Sequence, residues 1–262
     1  MTDTPEPSVR STGELSQAAG RRIRSSWGEP LFIAGWHQVL MIHFEVDAVA
    51  LQRMVPFPLE LHEGRAFVSL VAFSMRCMRP YRGGKMSAWF FRPIATHDFL
   101  NVRTYVRCGS ETGIHFLAEW LSSWLAAKLG PATFGLPYRH GRLELEHDWG
   151  STIIRSRVTD KTDGGLLEYE GGPIGRKELE PCEIGSLEEW LMERYTAFNS
   201  AGRSRRYFRV WHPPWVQCTT SISVTEKSLL TGNWPWFQQA RLVGANFSPG
   251  FDKVWMGRPH AV

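Results

Sequence analysis

The run Ala66-Phe67-Val68-Ser69-Leu70-Val71-Ala72-Phe73-Ser74-Met75 constrains this chain more than any other stretch. Its Val, Leu and Phe content predicts a strand over residues 66–79. Side chains alternate across a strand, and here both alternating sets are apolar. Such a strand belongs at the centre of a sheet, with cover on both faces.

The rest of the pattern is strands joined by short turns. Residues 31–46 are a continuous apolar stretch containing Trp36, His37 and His43, read as a long strand with a helix as the alternative. Asp47 can cap a short helix over 48–55, which Pro56 and Pro58 end. Glu63-Gly64 reads as a hairpin turn. Residues 80–97, with Pro80, Gly83, Gly84 and Pro93, read as a loop. Strands at 99–108 and 114–119 flank a turn at Glu111-Thr112-Gly113. A short helix at 122–130, capped by Ser122, comes next. Residues 141–148 and 151–159 alternate like a polar-faced hairpin turning at Trp149-Gly150, and 160–185 have no clear pattern. Ser186-Leu187-Glu188-Glu189 is a capping box opening a helix to about Asn199. Trp190, Leu191, Arg194, Tyr195 and Phe198 form its apolar stripe. More short strands are expected over 206–258. About nine or ten strands against two or three helices predict a mainly β (α+β) protein of antiparallel hairpins.

Residues 1–28 are polar and read as a flexible tail with a short helix near Leu15 to Ile23. Residues 29–262 read as a single domain. A content of 43% hydrophobic residues and 12 tryptophans says globular. No run of 18 apolar residues occurs and no apolar N-terminal segment suggests a secretion signal, so a cytoplasmic protein without a membrane partner is expected. Cys77, Cys108, Cys182 and Cys218 are far apart, which argues against a zinc site or disulfide framework and for buried, reduced thiols. The formal charge of +4 comes from 30 Lys and Arg against 26 Asp and Glu, and 24 of the cations are arginine. They are spread along the chain apart from Arg203 to Arg209, so no nucleic-acid module is expected. A homo-oligomer stays open. His37 and His43 would share a strand face and His140 and His147 would not, but no metal-ligand spacing appears. There is no G-x-S-x-G, P-loop or G-x-G-x-x-G, and no cofactor is expected.

Asn101-Val102-Arg103-Thr104-Tyr105-Val106 is the candidate for function. Asn101, Arg103, Tyr105 and Arg107 share one strand face, and Val102, Thr104, Val106 and Cys108 the other. The polar face either meets solvent or lines a cavity. His115, on the neighbouring strand, reads equally as a general acid or base or as a hydrogen-bonded core histidine. Trp215 in His212-Pro213-Pro214-Trp215 is a candidate cavity wall or a loop anchor.

Taken in order, several motifs resemble the YqjF-like family, a domain of unknown function within the acetoacetate decarboxylase-like superfamily. They are Pro56 with Leu59 and Leu61, the strand Gly64 to Phe73, and Asn101 to Val106. Gly113-Ile114-His115-Phe116, Phe134-Gly135-Leu136-Pro137-Tyr138, Glu193-Arg194-Tyr195 and His212 to Trp215 follow. The resemblance covers about residues 30 to 220. It implies a strongly curved antiparallel sheet, wrapped into a cone or partial barrel around a cavity. An inward-facing Arg103 would then need a carboxylate partner or an anionic ligand. Acetoacetate decarboxylases form a Schiff base through a lysine whose pKa is lowered, an example among activated nucleophiles. Tyr138 and Arg139 stand where the resemblance places the lysine pair, and neither forms an imine. Phe99 stands where relatives often carry a glutamate. Decarboxylase activity is therefore not carried over. The expectation is a small organic anion, keto acid-like, bound by Arg103, Tyr105, Arg139 and Trp215. If chemistry follows, it is a lysine-independent lyase, hydratase or isomerase step with Tyr138 or His115 moving a proton. Lys128, in the short helix before Pro137-Tyr138, could enter the cavity but reads as lying on the exposed helix face. The alternative is a non-catalytic structural or sensor module in which Arg103 is paired internally.

Overall fold

Strand β2 (Ala66–Pro80) lies between β1 (Phe32–Val46) and β3 (His97–Cys108) and runs antiparallel to both. The computed structural model describes residues 11–148, 153–174, 178–201 and 204–262. The remaining strands are β4 (Glu111–Leu121), β5 (Tyr138–Asp148), β6 (Ile153–Asp160), β7 (Leu166–Pro173), β8 (Glu180–Pro181), β9 (Thr196–Ala201), β10 (Ser204–Trp211), β11 (Val216–Lys227), β12 (Arg241–Met256) and β13 (His260–Ala261). The helices are α1 (Thr12–Ser25), α2 (Ala48–Gln52), α3 (Gly84–Phe91), α4 (Trp124–Phe134), α5 (Leu187–Met192) and α6 (Ser228–Asn233).

The strands pair into two closed circuits. The smaller runs β12-β1-β2-β3-β4-β9-β10 and back to β12. The larger runs β12-β1-β2-β3-β4-β5-β6-β7-β11 and back to β12. The five strands from β12 to β4 are a wall common to both, which is why β2 is apolar on both faces. Leu70 joins Leu40, Val102, Trp120 and Val158 in the core of the larger circuit. Val71, one residue on, joins Met41, Phe73, Phe99 and Ala197 in the core of the smaller. Each such burial contributes about 1.5–3 kcal/mol, and a polar side chain at either position would have no water to face.

The sheet is mixed rather than wholly antiparallel. The crossover through α4 makes β5 parallel to β4, and β9 is also parallel to β4. Strand β4 is paired with β3 on one edge, but its other edge is divided. Ile114 and His115 pair with β9, and Glu119 to Leu121 pair with β5. A register shift on the β3 side falls opposite Val102 and Arg103, where Leu117 is the extra residue.

Several expectations shift. The β3–β4 turn is Gly109-Ser110, with Gly109 at φ 60°, and not Glu111 to Gly113. The stretch read as a loop over 80–97 contains α3. Ser123, not Ser122, caps α4, which runs through Pro131 and stops at Gly135 in the left-handed region. Ser186 caps α5 by accepting from the Glu189 N–H, but the Glu189 carboxylate accepts from the Gly185 N–H instead of returning to Ser186, so the expected box does not close. The helix ends at Met192, because Thr196 to Ala201 is drawn into the ladder with β10. Phe198 is therefore a strand residue, not part of a helical stripe. Strand β7 occupies part of 160–185 and pairs with β6 and β11. The expected turn at Trp149-Gly150 lies outside the described residues. Within the expected tail, α1 is closed by a Ser11–Glu14 capping box and packs inward through Ser16, Ala19 and Ile23. Its Ser16 hydroxyl donates to the His212 carbonyl at 2.7 Å. Cys182 and Cys218 are buried free thiols, whereas Cys77 is exposed.

Candidate functional site

Alternation along β3 sends Phe99, Asn101, Arg103 and Tyr105 into the smaller circuit, and Leu100, Val102, Thr104 and Val106 into the larger. Arg103 is 7% exposed. Its Nη2 donates to the carbonyl of Leu191 at 3.1 Å and lies 3.8 Å from the Met41 sulfur. Its Nε has no partner, and among the described residues no carboxylate forms an ion pair with it. The Tyr105 hydroxyl donates to the same Leu191 carbonyl at 3.0 Å. Ser69 must then donate to Tyr105 at 2.6 Å and accept from Nδ1–H of His43 at 2.7 Å. Burial and the Arg103 charge hold His43 down at about 3, so the imidazole is neutral at pH 7.

A second arginine in this region is compensated. Arg194, whose side chain is 6% exposed, pairs with Glu60 at 2.6 Å and lies over the rings of Trp190 and Tyr105. His212 donates from Nδ1 to the Pro213 carbonyl at 2.7 Å. Burial lowers it to about 4, with that bond opposing the fall and Arg103 adding to it. The site thus carries one cationic charge without a counter-charge.

A cavity of about 40 Å³ adjoins that charge, lined among others by Trp36, Phe73, Asn101, Arg103, His212 and Trp215. It holds roughly three water-sized groups. Trp215 is fixed by its indole N–H to the Met192 carbonyl at 3.0 Å and by its backbone N–H to the Glu193 carboxylate at 2.8 Å. Glu193 also accepts from Tyr195 at 2.5 Å, and burial lifts its carboxyl to about 7.

The residues expected to form one site fall into three places. Arg103 and Trp215 line the cavity, with Tyr105 immediately behind Arg103. Tyr138 is on the same side of the wall but further along, paired with Glu119 across β4–β5 and 6.0 Å from the Phe99 ring. Tyr138 is partly exposed as a residue; burial, then the Glu119 carboxyl, push its phenol well above the ordinary value. His115 and Arg139 face the larger circuit. His115 pairs with Thr104, not Arg103, packs on Phe57 and bonds the Phe198 carbonyl at 3.0 Å. Arg139 donates to Asn233 at 2.6 Å, approaches Asp160 at 3.7 Å and covers the Trp120 ring. Lys128 is exposed on α4, over Trp124.

The sequence reading did not assign Asn101, Glu119, Arg194 and His212 to the site. Asn101 stands two residues before Arg103, which is signal enough. His212 was visible beside Trp215. Arg194 was absorbed into a helical stripe that ends two residues earlier. Glu119 is buried and faces Asn101 across the ladder; its Oε1 and the Asn101 Oδ1 both lack partners. Burial raises the Glu119 carboxyl well above the usual range, favouring its protonated form.

The model of DUF2071, described as an uncharacterised conserved protein, matches residues 34–247. The chain is 30% identical over 189 residues to the uncharacterised protein YqjF of Bacillus subtilis, covering 69% of this chain and 72% of that one. Among solved structures, acetoacetate decarboxylase from Legionella pneumophila superposes with a TM-score of 0.63 at 12% identity, over 88% of this chain and 87% of the other. The enduracididine biosynthesis enzyme MppR, complexed with pyruvate, gives 0.61 at 9% identity, over 90% and 92%. These likenesses establish an acetoacetate decarboxylase-like fold. No helix among the described residues is long and apolar enough to cross a membrane.

Proposed function

The chain belongs to the DUF2071, YqjF-like family, and from that premise we propose that it binds a small organic anion, a short keto acid-like carboxylate, at Arg103. One observation carries the reading. A buried guanidinium without a carboxylate partner, its Nε unbonded, borders a cavity of a few heavy atoms. An uncompensated buried charge is costly, and a bound carboxylate supplies both the counter-charge and acceptors for a planar donor. The side-chain amide of Asn101 offers a further donor, and Trp36 and Trp215 give apolar walls. The volume favours the smallest carboxylates, and pyruvate, present in the MppR neighbour, would fit only if the walls yield. Among the described residues no lysine borders the cavity, which supports a non-covalent mode of binding. Of the two expected acid–base residues Tyr138 alone is on this side of the wall, but it borders a different cavity, so we assign no proton transfer to it for a ligand at Arg103.

A second reading rests on the Leu191 carbonyl. Arg103 and Tyr105 both donate to it in the last turn of α5, where a cation also meets the negative end of the helix. Arg103 would then be a structural clamp with no ligand. Calorimetric titration with pyruvate, glyoxylate and acetate separates the two. Saturable binding that Arg103→Leu abolishes, with the variant still folded, supports the anion site. Binding unchanged by Arg103→Leu, or no binding of any of the acids by the wild-type chain, leaves the clamp.

A further inference from the structure

A larger cavity, of about 260 Å³, lies on the same side of the wall beneath α3 and α4. The two cavities share Phe73 and no other lining residue. Its chemistry is different. The walls are formed mainly by Phe99, Phe134, Met75, Met78 and Met256, with no Arg, Lys, Asp or Glu among the described lining residues. One polar side chain stands out among them. His97 is 6% exposed, and neither of its ring nitrogens meets a hydrogen-bond partner. The Ile94 carbonyl is close enough to temper the fall in its pKa but not in hydrogen-bonding geometry with the ring. Burial lowers the imidazole to about 4, so at neutral pH it offers one donor and one acceptor and no charge. Buried polar groups in folded proteins find partners, and an imidazole with both nitrogens idle inside a cavity is the exception that needs an occupant.

We propose that this cavity is a second binding site, for an uncharged and mostly apolar molecule with one hydroxyl or carbonyl group that bonds His97. The apolar walls supply the affinity, and the histidine selects the polar group. A carboxylate is excluded, because it would leave water for a space without a cation. The rim reaches solvent at Leu129, which is 48% exposed, so small molecules can enter without unfolding α4. The site stands independently of the anion reading at Arg103.

Methionine methyl NMR reads both sites at once. Met75, Met78 and Met256 border this cavity, whereas Met41 borders the one at Arg103. Benzyl alcohol, toluene and benzoate are probes of one shape that differ in the polar group. The expected result is saturable shifts of the three methionines with benzyl alcohol, weaker ones with toluene, and none with benzoate. His97→Phe should lower the preference for benzyl alcohol over toluene by about fivefold, the value of one neutral hydrogen bond. If that variant does not fold, His97→Gln, which can still donate and accept, should keep the preference. Benzoate matching benzyl alcohol at these methionines overturns the proposal, as does the absence of any saturable shift with the uncharged probes. A small acid at Arg103 would move Met41 instead, so the two readings fail separately.

Discussion

Arg103 and Tyr105 donate to one acceptor, the carbonyl oxygen of Leu191, at 3.1 and 3.0 Å. Two side chains on one face of β3 thus hold the last turn of α5, which in turn presents Met192 to the indole of Trp215. The cavity wall is positioned by the same strand that carries its charge.

Tyr105→Phe breaks this arrangement at its least replaceable point. It removes the phenol from Leu191 and leaves the Ser69 hydroxyl without its acceptor, while His43 still donates to Ser69. A loss of about 1–3 kcal/mol in urea unfolding is expected. A change below a few tenths would mean that the Ser69–Tyr105 link contributes nothing.

Arg194→Met removes one member of an enclosed ion pair. Glu60 is left without its partner at 2.6 Å, and the guanidinium stacked over Trp190 at 4.3 Å is lost. The Glu60 side chain is 18% exposed, which lets water soften the penalty. The expected cost is about 3 kcal/mol, and Arg194→Met with Glu60→Leu should recover part of it. A double variant less stable than the additive sum would refute the pairing.

Glu193 gives the stability a specific pH dependence. Its carboxyl ionises near 4.5 when unfolded and about 7 when folded, so the folded chain holds the extra proton between those values. Stability therefore falls as pH rises through that window, by about 3 kcal/mol, and stays lower above it. Glu193→Gln cannot ionise and can still accept from the Trp215 amide. It should be more stable than wild type at pH 8, with the advantage vanishing near pH 4.5. The buried histidines act in the opposite sense, their stabilisation being lost as pH falls from 6.5 towards 4, but they cancel in this difference. An advantage that grows on acidification would contradict the assignment.

Gly130 is within α4, where alanine ordinarily stabilises by about 1 kcal/mol. Here an added Cβ would stand 2.0 Å from the Tyr138 ring. Gly130→Ala should therefore destabilise, by about 1–3 kcal/mol as overpacking does. In a Tyr138→Leu background the sign should reverse. Equal effects in both backgrounds, read from denaturant midpoints, would show that the helix yields instead of the ring.

How much of this was legible before the structure depends on which physical constraint governs each residue. Alternation is local, so the placement of Asn101, Arg103 and Tyr105 on one face followed from β3 alone. The same rule, applied to neighbours, forbids Tyr138 and Arg139 from facing one cavity, and the structure separates them accordingly. Register is not local. His115 was expected near Arg103, but the two-residue turn at Gly109-Ser110 sets Arg103 opposite Phe116 and turns His115 to the other side. The end of α5 was hidden for a related reason. A helical stripe through Phe198 competes with a ladder to β10, and the ladder is a tertiary gain that no window of sequence records. The doubly apolar β2 correctly announced a wall buried on both sides, though not that the two sides would be separate closed circuits.

The divided edge of β4 gives the molecule a seam. β9 and β5 pair with β4 on either side of Phe116, Leu117 and Ala118, and the Asn199 amide of β9 bonds the Phe134 carbonyl at the end of α4, just before β5. Along those three residues this edge of β4 carries no rung among the described residues, so the smaller and larger circuits diverge there with a side-chain bond in place of the ladder.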